Sequence, residues 1–151
     1  VPEFTTSCYI DAPIERVWAF HEAPDALEKL SPPGAGIRVV SRTGGIGVGA
    51  RLVIKVPVLG PIAAEWHAVH TACSPPNLFI DEQERGPFAY WHHEHRFERE
   101  GRGTRLTDAI TYRLYGGPLI DLLGAPFVRL QLVPMFKFRH EITKKSCEAD
   151  V

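Results

Sequence analysis

Residues 77–115 read NLFIDEQERGPFAYWHHEHRFEREGRGTRLTDAITYRLY, three alternating runs broken at Gly86-Pro87-Phe88 and at Gly101-Arg102. Alternation at period two marks strands with one buried face, because successive side chains point to opposite sides. Phe79 brings Asp81 and Gln83 to the inner face, while Glu82 and Glu84 go outward. In the next run Trp91 and Phe97 carry His93 and His95 inward, against Tyr90, His92, Glu94, Arg96 and Glu98. In the last, Leu106, Ile110, Tyr112 and Leu114 share their side with Asp108. Loop length then sets register. A three-residue loop pairing Arg85 with Ala89 puts Gln83 opposite Trp91, Asp81 opposite His93 and Phe79 opposite His95. A two-residue loop pairing Glu100 with Gly103 puts His95 opposite Asp108 and Trp91 opposite Tyr112.

Two acid–imidazole pairs therefore face each other across the ladder, His93 with Asp81 and His95 with Asp108, within an aromatic surround of Trp66, Phe79, Trp91, Phe97 and Tyr112. Ionisable groups are costly inside unless paired, and an ordinary packed core avoids them. Three readings are open: a structural network that holds the register, a patch that orients the polar end of a ligand, and a general acid–base site.

Outward from this stretch, strands are expected at about 37–43, 50–57 and 62–73, punctuated by Gly44 to Gly49, Gly60-Pro61 and Ser74-Pro75-Pro76. In the last of these Trp66 shares its side with Ala64, Ala68 and His70. A first strand runs from Glu3 to Ile10. Asp11 is expected to cap a short helix over Ile14 to Glu22, and Asp25 a second through Ala26, Leu27 and Leu30. From Pro118 to about Cys147 the spacing is helical, with Leu119, Leu122, Leu123, Phe127, Leu130, Val133, Phe138 and Ile142 as the expected apolar stripe. Gly124-Ala125-Pro126 is expected to divide a short helix from a longer one, and Pro134 to kink the latter.

At 151 residues the chain is one domain. A net charge of -1 lacks the excess that sequence-independent phosphate binding requires, so no nucleic-acid partner is expected. Cys8, Cys73 and Cys147 fit neither a disulfide framework nor a CxxC site and read as free thiols of a cytoplasmic protein. No uncharged apolar run approaches the roughly 18 residues of a membrane span. Gly45-x-Gly47-x-x-Ala50 lacks the following helix of a dinucleotide fingerprint and reads as a hairpin loop. His93 and His95 share a face with Asp81 and Asp108, but each imidazole already has an acidic partner, so no metal and no cofactor are expected. The polar outer strand faces argue against a protein-interaction module, and monomer and homodimer both remain open.

Ile10-Asp-Ala-Pro-Ile-Glu-Arg-Val-Trp18, the Pro32-Pro33 pair, Asp81-x-Gln83-x-x-Gly-Pro-Phe88, Trp91-x-His-x-His95-x-Phe97 and the Leu106-Thr-Asp108 to Tyr112 strand together resemble the START-like, Bet v 1-like (SRPBCC) superfamily. The likeness is nearest to bacterial single-domain members described as polyketide cyclase/dehydrase-like or ligand-binding. It implies an α+β helix-grip fold, seven curved antiparallel strands around a long C-terminal helix, with an apolar cavity between sheet and helix that Phe127 and Leu130 would help to line. The expected function is binding or carriage of a small apolar or amphipathic molecule, its polar end oriented by Asp81, Gln83, His93, His95 and Asp108, with His70 nearby. The alternative is a metal-free cyclase or dehydratase in which an inward His–Asp pair acts as general base.

Overall fold

The two hairpins at the centre of the sheet close where their turn residues place them. The computed structural model describes residues 1–59 and 61–149. In chain order these form β1 (Glu3–Ile10), α1 (Ile14–Glu22), α2 (Ala26–Leu30), β2 (Arg38–Thr43), β3 (Arg51–Leu59), β4 (Ile62–Ser74), β5 (Leu78–Arg85), β6 (Tyr90–Glu100), β7 (Gly103–Arg113) and α3 (Pro118–Glu148). The strands make one antiparallel sheet in the order β1-β7-β6-β5-β4-β3-β2. The chain crosses from one edge to the other through α1 and α2, then meanders back. This is the helix-grip α+β arrangement, with α3 packed against β1, α1 and α2.

Register follows turn length. Phe79 faces His95 and Asp81 faces His93 between β5 and β6; His95 faces Asp108 and Trp91 faces Tyr112 between β6 and β7. Gly103 must be glycine because a Cβ there would collide with the Ile10 carbonyl and the Tyr9 hydroxyl. Two irregularities in the β4–β5 pairing, at His67/Ala68 and at His70/Ala72, are the kind of bulge that strengthens twist and bends a sheet.

The core divides in two. Ile10, Ile14, Val17, Trp18, Phe79, Phe97, Leu106 and Cys147 gather where α1 and the end of α3 meet the sheet. Phe4, Trp91, Ile110, Tyr112, Val128, Leu132 and Phe136 form the other cluster. Fully burying each large side chain contributes about 1.5–3 kcal/mol, so both clusters matter to stability.

Three local expectations need correction. Asp11 does not cap α1: Pro13 occupies the cap position, and the Asp11 carboxylate takes Arg102 while its backbone N–H donates to Glu148. Asp25 stands at the cap of α2 without a side-chain cap bond and pairs instead with Lys29. Finally, α3 runs unbroken through Gly124, Pro126 and Pro134. Both prolines lie on its exposed side, where water can take the carbonyls that lose their i+4 donor.

Candidate functional site

Between the two apolar clusters, β5, β6 and β7 lay a belt of acids and imidazoles across the inner face of the sheet. Its centre is Asp108 on β7, 5% exposed. His93 Nε2 donates to Asp108 Oδ1 at 2.8 Å, and His140 Nε2, from α3, donates to Oδ2 at 2.6 Å. His95 Nε2 donates to Asp81 Oδ2 at 2.7 Å. The strong bonds are thus diagonal. Directly across the ladder the separations are longer, 3.8 Å for His93 to Asp81 and 3.3 Å for His95 to Asp108. The rings crowd as they bond: His93 and His95, tilted by 30°, have ring centres 3.7 Å apart, and Phe79 stacks on His95 at 3.9 Å.

Burial and pairing divide the imidazoles by charge. Burial disfavours a cation at His95 and at His140, but the carboxylates outweigh it, and both are raised to about 9. At His93 burial, reinforced by the neighbouring His95 charge, prevails over Asp108 and lowers the group. Burial lowers His70 too, and takes His21 to about 4. Although burial opposes their ionisation, Asp81 is held at about 2 by His95 and His93, and Asp108 well below the usual carboxylate range by His140, His93 and His95. At neutral pH the belt therefore holds two carboxylates, two imidazolium ions and a neutral His93.

Of the residues singled out in the sequence, Phe79, Asp81, Trp91, His93, His95, Phe97, Asp108 and Tyr112 come together on the inner face. His70 on β4 faces Asp81, stacks on Phe79 at 5.7 Å, and its Nδ1 meets the Ile46 carbonyl at 3.1 Å, which pins the β2–β3 loop against the belt. That loop leads into β3, not into a helix. Trp66 meets Trp91 edge-on at 4.9 Å and stays half-buried, as do Leu52, Ile54 and Val56 on the neighbouring strand; Ile54 is directly opposite Trp66.

Gln83 has a different occupation from the one expected. Its amide donates to the Phe88 carbonyl at 2.6 Å and accepts from the Phe88 N–H at 3.1 Å, clamping the β5–β6 turn. The paired ladder ends at Glu82 and His92, short of Trp91. Gly86 leaves room for the clamp, since a Cβ there would sit 2.6 Å from the Gln83 amide oxygen. Phe127 and Leu130 are also misplaced by the sequence reading. They are 70% and 72% exposed and line nothing inside. The inward residues of α3 are Val128, Leu132, Phe136, His140, Thr143 and Cys147. Leu119, Leu122 and Leu123 join Phe127 and Leu130 on an exposed apolar face of α3, which the polar outer strand faces gave no sign of. By length and composition α3 could cross a membrane, with a mean hydropathy of 1.4 over eighteen residues; its later half is bound into the core by His140, Thr143 and Cys147.

Sequence reasoning missed His21, His140 and Arg139. Only the spacing Leu132, Phe136, His140 could have pointed to the second, and it competes with apolar residues on every other face of the helix. Asp81, His93 and His95 offer ligand atoms within 4.8 Å of one another, a donor set of two imidazoles and a carboxylate. Both imidazoles already hold carboxylates, so a metal would have to displace those bonds and deprotonate His95. Two surface grooves, of ≈ 370 Å³ between β1 and α3 and ≈ 410 Å³ between α2 and β2, lie to the sides of the belt; His140 alone of its members reaches the first.

Comparison with known proteins agrees with this architecture. TTHA0849 from Thermus thermophilus superposes with a TM-score of 0.74 at 22% identity, over 98% of each chain. A nucleoside-diphosphate sugar epimerase from Corynebacterium glutamicum contains a similar unit, TM-score 0.73 at 24% identity, covering 94% of this chain but 28% of that one. Ara h 8.0201, a Bet v 1-like protein, matches at 0.64 and 13% identity over 93% of this chain and 97% of that one. No curated protein matches the sequence. Residues 10–135 match the family described as polyketide cyclase / dehydrase and lipid transport. The chain belongs to that family, within the START-like, Bet v 1-like superfamily, and ligand binding is the general class of function this membership supports.

Proposed function

We propose that the protein binds or carries a small, largely apolar molecule between the inner face of the sheet and α3, with its polar end at Asp81 and His95. The observation that carries this reading is the unsealed apolar surface beside the belt. Leu52, Ile54, Val56 and Trp66 face inward yet remain half-buried on β3 and β4, beyond His70, which faces Asp81; Asp81 at 18% and His95 at 12% have more exposed side chains than His93, Asp108 and His140. Apolar walls with a few convergent polar groups are the common composition of small-molecule sites. Trp66, Phe88 and Trp91, in mutual contact at 4.7–5.6 Å, supply aromatic area. Native mass spectrometry of the gently purified protein, followed by a thermal-shift screen of small organic molecules, tests the reading. An adduct of small-molecule mass that Trp66→Arg abolishes is expected. A bare chain whose unfolding temperature no compound raises would contradict it.

One observation favours a second reading, proton-transfer catalysis of the cyclase or dehydratase kind. His93 is a neutral imidazole whose Nε2–H is committed to an ionised Asp108, which leaves Nδ1 basic and directed toward the Asp81 side. A carboxylate that fixes the tautomer of an imidazole is what a general base requires. Turnover of a β-keto substrate that survives unchanged in His93→Ala would exclude it.

A further inference from the structure

The paired surface arginines contrast with one half-buried on α3. Arg42, Arg51, Arg96, Arg99, Arg102 and Arg105 each meet a carboxylate at the surface, where such pairs are worth little. Arg139 is half-buried at the margin of the inner face of α3, three residues after Phe136 and four before Thr143, both deeply buried. Its guanidinium carbon lies 5.2 Å from the centre of the Phe136 ring. Its Nε is fully buried and, among the described residues, has no hydrogen-bond partner. Asp108 and Asp81 are near enough for their charges to act on it but form no bond with it.

Those acids are already committed. Asp108 holds His93 on one oxygen and His140 on the other, and Asp81 holds His95. Around the belt three cations, His95, His140 and the half-buried Arg139, thus stand against two carboxylates, Asp81 and Asp108, and neither carboxylate bonds Arg139. The guanidinium is half-buried with no counter-ion of its own, and a buried Nε donor without an acceptor calls for an explanation. An anion arriving with the ligand supplies both. The guanidinium edge is a planar fork suited to two oxygens of a carboxylate, and a ring already covers one of its faces.

From this geometry we infer that Arg139 is an anion-binding residue of the inner site, and that the molecule the protein takes is an apolar body ending in a carboxylate. The inference rests on the ligand-binding reading above and names its substrate class. Fatty acids and aromatic acids share this chemistry, and matched probes separate them: dodecanoate against dodecan-1-ol, and 2-naphthoate against 2-naphthalenemethanol.

Calorimetric titration of the wild type, Arg139→Gln and Arg139→Lys with all four probes is the test. In at least one pair the wild type should bind the acid about tenfold or more tightly than the alcohol, the discrimination expected of a charge-assisted bond. Arg139→Gln should bring acid and alcohol to similar affinity by weakening the acid alone, and Arg139→Lys should keep part of the preference. Thermal unfolding of Arg139→Met should be unchanged or raised, because a buried donor without an acceptor is removed. A wild type that binds acid and alcohol equally, or a preference that survives Arg139→Gln, overturns the anion assignment and leaves the binder reading standing. Binding of none of the four by the wild type would sink both. A fall in the unfolding temperature of Arg139→Met would give Arg139 a structural role instead.

Discussion

The two halves of α3 invert the usual relation between hydrophobicity and burial. From Pro118 to Val133 the helix is rich in leucine, yet Leu119, Leu122, Leu123, Phe127 and Leu130 are exposed. From Phe136 to Glu148 it is rich in charge, yet His140, Thr143 and Cys147 are buried with Phe136. The difference lies in what each half faces. The later half meets Asp108, whose buried carboxylate is tolerable only with its full set of donors, and His140 is one of them. A helix is seated by the groups that need it, and surplus apolar residues are left on whatever face remains.

The sharpest way to break that comparison is to remove the group that seats the later half. Asp108→Ala strands the imidazoles of His93 and His140 and should cost about 3–5 kcal/mol by urea unfolding. Phe136→Ala, in the same half, should cost about 3–4 kcal/mol from lost burial and the cavity left behind. If the apolar half were instead the anchor, both losses would be small.

Titration should give the next largest effect. His95 and His140 are raised from 6.5 to about 9, so the stability they contribute is complete below 6.5 and disappears as the pH climbs through 9. His21 is depressed from 6.5 to about 4 and Asp81 from 3.8 to about 2, so their contributions are lost as the pH falls through those lower values. Stability should therefore peak near neutrality and drop on the order of 1–3 kcal/mol by pH 9. His140→Gln should flatten the alkaline limb in particular. A wild-type profile flat from pH 6.5 to 9 would remove His95 and His140 as buried cations. The smallest effect belongs to the exposed half: Phe127→Ala should change stability by less than about 0.5 kcal/mol. A loss comparable to that of Phe136→Ala would mean that this face is covered in solution.

Strand content and the facing of Asp81 with His93 and of His95 with Asp108 were legible because a hairpin loop of given length admits one register, and register assigns every side chain to a face. Which acid bonds which imidazole was not legible. Side-chain torsions choose between the partner across and the partner on the diagonal, and here the diagonal prevails at both histidines. Gln83 was placed on the inner side of its strand, but the Phe88 backbone, five residues away, claims its amide. The face of α3 was illegible for a different reason. Between Pro118 and Phe136 apolar residues occupy all sides of the helix, so periodicity alone cannot select Val128 and Leu132 over Phe127 and Leu130. His140 and Arg139 were hidden by the same ambiguity.

The histidines themselves provide the most direct test of the inner face as the ligand site. His93, His95 and His140 belong to the belt and His70 borders it, whereas His67 and His92 pair with Glu65, Glu82 and Glu94 away from it. Long-range 1H–15N spectra of the imidazole nitrogens, recorded while dodecanoate or 2-naphthoate is added, read both sets at once. The His93 and His95 resonances should move with saturation while those of His67 and His92 stay in place. Saturable binding that leaves His93 and His95 unmoved would place the ligand elsewhere and contradict the inner-face site.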